Sequence, residues 1–233
     1  MRSFHHIRSL CLMSAAAAAL SLSGAGLADN HTPKDATSMT ATAQAAPLIP
    51  RDALFGNPVR AGGQISPDGK WLSWLAPKDG VLNIWVAPVS NPDDARALTS
   101  ATDRPIRQHF WSPDASSVMY IQDKGGDENF LLYGINVATG AETNLTPFEK
   151  TRVQIIGAST TMKDKVLLGL NNRDPRFHDV HLLDLNTGKL TQVLENPGYA
   201  GFMEDDTLTL RMAMRQNAAG GTDYFRVENN VVA

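Results

Sequence analysis

A repeat with a period in the forties constrains this chain more than any other feature. Ile65-Ser66-Pro67-Asp68-Gly69 leads into the strand-like Lys70-Trp71-Leu72-Ser73-Trp74-Leu75, and Trp111-Ser112-Pro113-Asp114 leads into Ser117-Val118-Met119-Tyr120-Ile121. The two Ser-Pro-Asp units start 46 residues apart. A second element recurs at a similar interval: Leu82-Asn83-Ile84-Trp85-Val86, Asn129-Phe130-Leu131-Leu132-Tyr133, His178-Asp179-Val180-His181-Leu182-Leu183 and Thr222-Asp223-Tyr224-Phe225-Arg226-Val227. Self-similarity at such a period marks a repeat architecture, in which each unit buries its apolar surface only against its neighbours.

Each unit reads strand, turn, strand, polar loop, strand, turn, strand. In the second unit the strands fall at 108–112, 117–122, 130–137 and 142–146. Pro-Asp-Gly is a turn for stated reasons: proline presets φ, aspartate bonds its own backbone and glycine takes a positive φ. Ala138-Thr139-Gly140 and Asn186-Thr187-Gly188 punctuate hairpins in the same way. No helical period is sustained after residue 47. Val166-Leu167-Leu168-Gly169-Leu170 is apolar on both faces, which suits sheets stacked face to face. Four strands in about 40–45 residues is the blade of a β-propeller. The prediction is therefore an all-β chain, a partial β-propeller of about three and three-quarter four-stranded blades at 60–99, 106–146, 152–195 and 199–229. A β-sandwich has a similar strand count but requires neither the period nor the repeated Pro-Asp turn. With no fourth strand in its last blade, 47–233 reads as an incomplete propeller from the front of a longer protein.

The amino terminus reads as an address. Residues 1–10 carry Arg2 and Arg8 and no acid, an apolar or small run follows from Cys11 to Leu22, and Gly24-Ala25-Gly26-Leu27-Ala28 closes it. These are the parts of a secretory signal peptide, with cleavage expected after Ala28. The apolar run falls short of the roughly 20 residues that a transmembrane helix needs. A lipoprotein signal would need a small residue before Cys11, where Leu10 stands. Residues 29–46, rich in Thr, Ala, Ser and Gln, read as a disordered linker. The expected location is periplasmic or secreted. Cys11 is the only cysteine, so neither a disulfide framework nor a cysteine zinc site is available. The formal net charge of −3 argues against a nucleic-acid partner.

Ile49-Pro50-Arg51-Asp52-Ala53-Leu54-Phe55-Gly56-Asn57-Pro58 followed by the Ser-Pro-Asp-Gly unit, then Asp123-Lys124-Gly125-Gly126-Asp127-Glu128-Asn129 and the run from Leu170 to Asp179, resemble the amino-terminal propeller of secreted bacterial prolyl oligopeptidase family serine peptidases, the acylaminoacyl-peptidase and dipeptidyl-aminopeptidase branch. The resemblance covers about 48–229. It implies a propeller that acts as a lid and filter for short peptides in front of an α/β-hydrolase domain with a Ser-Asp-His triad. The Gly-x-Ser-x-Gly elbow of such a domain is absent from this sequence, as is strand-helix alternation, so no catalytic residue is assigned. The expected partner is a short peptide, reached through the hydrolase domain. No cofactor, nucleic acid or membrane span is expected, and homo-oligomerisation stays open. The alternative is a non-enzymatic periplasmic propeller that scaffolds protein partners.

Four side chains are candidates for substrate binding. Asp127 and Glu128, on a glycine-rich loop, suit a substrate's free amino terminus, Glu128 being preferred. A solvated loop is the simpler reading. Arg173 and Arg176 suit a substrate carboxylate or carbonyl, against a turn that pins itself with an Arg–Asp pair. His178 and His181 invite a metal, but positions three apart in a strand point to opposite faces, and no third ligand is in view. His109, His178 and His181 are the only histidines of the folded region, and nothing marks a serine partner for a triad. Trp71, Trp74, Trp85, Trp111, Phe130 and Tyr133 sit at repeat-equivalent positions and read as packing between blades.

Overall fold

A computed structural model describes residues 48–232. The predicted signal peptide at 1–28 and linker at 29–46 lie outside the described residues. A single-turn helix, α1 (Arg51–Phe55), precedes four four-stranded antiparallel sheets, each with its strands in sequence order. The first holds β1 (Ala61–Ile65), β2 (Trp71–Lys78), β3 (Val81–Pro88) and β4 (Arg96–Ala97); the second holds β5 (His109–Trp111), β6 (Ser117–Gln122), β7 (Leu131–Asn136) and β8 (Glu142–Asn144). The third holds β9 (Val153–Ala158), β10 (Lys165–Asp174), β11 (Phe177–Asp184) and β12 (Leu190–Leu194); the fourth holds β13 (Gly201–Glu204), β14 (Leu210–Gln216), β15 (Thr222–Glu228) and β16 (Val231–Val232). These are propeller blades.

Burial on both faces has a direct cause. Successive residues of a strand point to opposite sides, and each central sheet has a neighbour on both sides. In β10, Val166, Leu168 and Leu170 pack with Met119 and Leu132 of the second sheet. Leu167, between them, packs with Phe202, Leu210, Ala213 and Val227 of the fourth. In β6, Val118 and Tyr120 turn the other way, onto Leu75, Ile84 and Val86 of the first sheet. Truncating a fully buried leucine such as Leu168 to alanine would cost about 2–5 kcal/mol.

One element corrects the prediction. The fourth sheet has a fourth strand, β16, paired with β15 through Val227↔Val232 and Glu228↔Val231. The turn between them is Asn229-Asn230, with φ of 51° and 60°. Asparagine tolerates positive φ, and two such residues make the mirror-image turn that matches strand twist. A two-residue strand has no alternation to read, which is why the sequence ends this blade at 229.

Consecutive antiparallel strands sort the connections between two ends. The turns after the first and third strands share one end, here called the turn end. The turns after the second strand and the links to the next sheet share the other, the loop end. Turn-end hairpins are mostly closed by their own side chains. Ser66 Oγ donates to Asp68 Oδ1 (2.6 Å) and accepts from the Trp71 N–H (2.9 Å), and Ser112 repeats this with Asp114 (2.5 Å) and Ser117 (2.9 Å). Asn136 and Asp184 each accept two backbone N–H groups, from Ala138 and Thr139 and from Asn186 and Thr187.

Candidate functional site

The loop end carries the four predicted side chains, and the structure gives them different tasks. Asp127 closes its own loop: it accepts from the N–H groups of Lys124 (3.3 Å) and Asn129 (3.0 Å) and from Asn129 Nδ2 (3.0 Å). The bonds from Asn129, side chain first, hold its carboxyl below the usual range. Glu128 is exposed at φ 59°, and its N–H donates to Asp123 Oδ2 (3.4 Å). The loop is anchored by Asp123, which is not among the sequence candidates. Its side chain is 3% exposed and is gripped by Arg104 from the link between β4 and β5 (Nη2–Oδ2 3.1 Å, Nε–Oδ1 3.3 Å).

Arg173 is also a clamp. Its Nε and Nη2 donate to the two oxygens of Asp179 (2.6 and 2.8 Å), and Nη2 also donates to the Asn196 carbonyl (3.1 Å). Asp179 is almost wholly buried and also accepts from the Asn196 N–H (2.8 Å). Burial alone would raise its pKa, but Arg173 and the Asn196 N–H keep it lowered. Arg176 differs: it pairs with Asp174 (2.8 Å), lies over Phe177 at 5.2 Å and is largely exposed. The Arg176 side chain, first among its partners, draws the Asp174 carboxyl down to about 2.

Arg176 lines a cleft of about 410 Å³ between the third and fourth sheets. The first strand of the third sheet supplies Gln154 and Ile156, the start of β11 supplies Phe177 and His178, the link between sheets supplies Asn196 and Tyr199, and the end of β14 supplies Arg215 and Gln216. Asn196 shapes the link. Its Oδ1 accepts from the N–H groups of Gly198 (2.9 Å) and Tyr199 (2.7 Å), while Nδ2 donates to the carbonyls of His178 (3.2 Å) and Tyr199 (2.9 Å). Gly198 has φ 140° and lies against the Phe177 ring, so both backbone and space favour glycine there. Tyr199 meets Phe225 edge-on at 5.3 Å, and the Arg215 guanidinium sits 4.8 Å from Phe225 and 5.8 Å from Tyr199. His178 is held towards its neutral form, first by burial and then by the charge of Arg152, and its Nε2 is buried without a hydrogen-bond partner. Arg215, Tyr199 and Gln154 escape sequence reasoning because they come from three segments with no local motif. The only trace is an arginine followed, nine residues on, by the aromatic pair Tyr224-Phe225.

The remaining histidines are structural. His181 Nδ1 lies 3.0 Å from the Asp179 carbonyl. Among the described residues, no group of three or more His, Cys, Asp or Glu is placed to hold a metal. His109 lies beside a serine that no sequence motif marks: its Nε2 is 2.9 Å from Ser73 Oγ. Both are buried where the first two sheets meet, with exposures of 5% and 1%, so a substrate has no access. Burial pushes the His109 imidazole down to about 4. Among the described residues, no helix is long and apolar enough to cross a membrane.

No family model matches the chain. It is 48% identical over 180 residues to dipeptidyl aminopeptidase BIII of Pseudoxanthomonas mexicana, covering 77% of this chain and 26% of that protein. It is 30% identical over 190 residues to dipeptidyl peptidase family member 6 of Caenorhabditis elegans, covering 78% of this chain and 26% of that protein. The chain thus spans about a quarter of the length of the curated relatives it matches. In fold it is similar to the β-propeller domain of the trilobed protease from Pyrococcus furiosus, with a TM-score of 0.50 at 16% identity, over 75% of this chain and 55% of that one. The chain is related to the propeller portion of the prolyl oligopeptidase-type peptidases.

Proposed function

We propose that this chain serves as the amino-terminal propeller portion of an exported serine peptidase of the prolyl oligopeptidase type, where it restricts the catalytic site to short peptides. The observation that carries the proposal is the 48% identity to a dipeptidyl aminopeptidase over 77% of the chain. The described residues supply what a filter needs. Blades pressed face to face form a stiff support, and the loop end carries a cleft with aromatic walls and two arginines. In this reading peptides meet the loop end, while the turn end is support. Export is proposed from the charged, apolar and small-residue segments of 1–28.

The test uses the native polypeptide, captured from its source cells with an antibody against 47–233. It is expected in the periplasmic or secreted fraction, reacting with a fluorophosphonate serine probe and releasing dipeptides from a chromogenic substrate with a free amino terminus. A captured polypeptide that neither labels nor cleaves would overturn the proposal in favour of a scaffold.

A further inference from the structure

We infer that the cleft between the third and fourth sheets holds the free carboxylate of a peptide, with Arg215 as its main ligand. This rests on the peptide-handling reading above and specifies which end of the peptide the cleft takes.

Charge comes first. The cleft wall contains two arginines and no aspartate or glutamate. Three other loop-end arginines are occupied: Arg104 by Asp123, Arg173 by Asp179 and Arg176 by Asp174. Arg215 has no carboxylate within 4.0 Å among the described residues. Instead it is set against the Phe225 and Tyr199 rings. Contact with the two rings restrains the guanidinium, whose N–H groups can bind a carboxylate with two parallel bonds. An arginine already ordered loses less side-chain entropy on binding than a free one.

A second polar group lies in the same wall. His178 Nε2 is buried without a partner, and such atoms in folded proteins usually have one. A bound peptide would supply it, through a backbone carbonyl or the second carboxylate oxygen. Phe177 and Tyr199 offer the apolar surface for the last side chain. A volume of about 410 Å³ is that of a small-ligand site, with room for the last one or two residues of a peptide.

The test measures fluorescence anisotropy with the full chain and two probes, Ala-Ala-Phe labelled at its amino terminus as the free acid and as the amide. The acid is expected to bind at least about tenfold more tightly than the amide, the effect of one charge-assisted contact. Arg215→Met keeps the aliphatic stem and is expected to remove that preference. Arg211→Met, at a residue paired with Asp205 on the opposite end of β14, is expected to leave it intact. Thermal unfolding of each variant verifies the fold. Equal binding of acid and amide would overturn the carboxylate site while sparing the peptide reading. Binding of neither, with the native polypeptide still reactive towards the serine probe, would overturn the site alone. Binding of neither and no serine labelling would overturn both.

Discussion

The connections that follow the second strands of the second and third sheets make an instructive pair. Beside each lies a buried aspartate gripped by a partly exposed arginine: Asp123, in the connection itself, with Arg104 (side-chain exposures of 3% and 37%), and Asp179, in β11, with Arg173 (2% and 40%). In the second sheet the arginine arrives from the link between sheets and the loop closes on itself through Asp127. In the third sheet the arginine belongs to the hairpin, and the link is fastened to Asp179 through Asn196. The first arrangement finishes its loop. The second braces a link that presents Tyr199 and leaves a cleft towards the next sheet. Charged residues that look alike in sequence thus have different tasks: Arg104 and Arg173 hold buried aspartates, while Arg215, without a carboxylate within 4.0 Å among the described residues, lies where two sheets meet.

The pair can be broken experimentally, beginning with the largest effect. Asp179→Ala would strand Arg173 and leave the Asn196 N–H unmet, and a loss of about 3–5 kcal/mol in urea unfolding is expected. Asp123→Ala, with its longer contacts of 3.1–3.3 Å, is expected to cost about 2 kcal/mol by the same measurement. Equal losses, or a reversed order, would break the comparison. Asp127→Ala removes only an exposed local cap and is expected to change stability by about 0.5 kcal/mol, readable as a small shift in the urea midpoint.

Acid sharpens the contrast between the loop end and the sheet interfaces. His109 titrates near 4 when folded, below its ordinary 6.5. As pH falls, the unfolded chain takes up this proton first. The stability tied to neutral His109 is therefore complete above pH 6.5 and lost between 6.5 and about 4, with an upper limit of about 3 kcal/mol. His109→Gln, which retains a hydrogen-bonding group towards Ser73, is expected to flatten the unfolding free energy across that window. An unchanged slope would show that His109 is not the group responsible.

The repeat made most of the fold legible. Ser66-Pro67-Asp68 and Ser112-Pro113-Asp114 announce turns that the structure builds with the same bonds, and the two-faced apolar run of β10 announces neighbours on both sides. Strand β16 was illegible because two residues carry no period. At the site, charge was legible and pairing was not. Arg173 and Arg176 are neighbours in sequence, yet one clamps the buried Asp179 and the other faces a cleft. Arg215 lies in a different sheet from both, and only the packing of the third sheet on the fourth brings it alongside.

The central claim is that peptides meet the loop end between the third and fourth sheets. Amide hydrogen exchange of the full chain, with and without the free-acid tripeptide, tests it most directly. Slower exchange is expected at 173–178 and 196–202, with no change in the turns at 66–70 and 112–117. Protection confined to those turns, or absent everywhere, would contradict it.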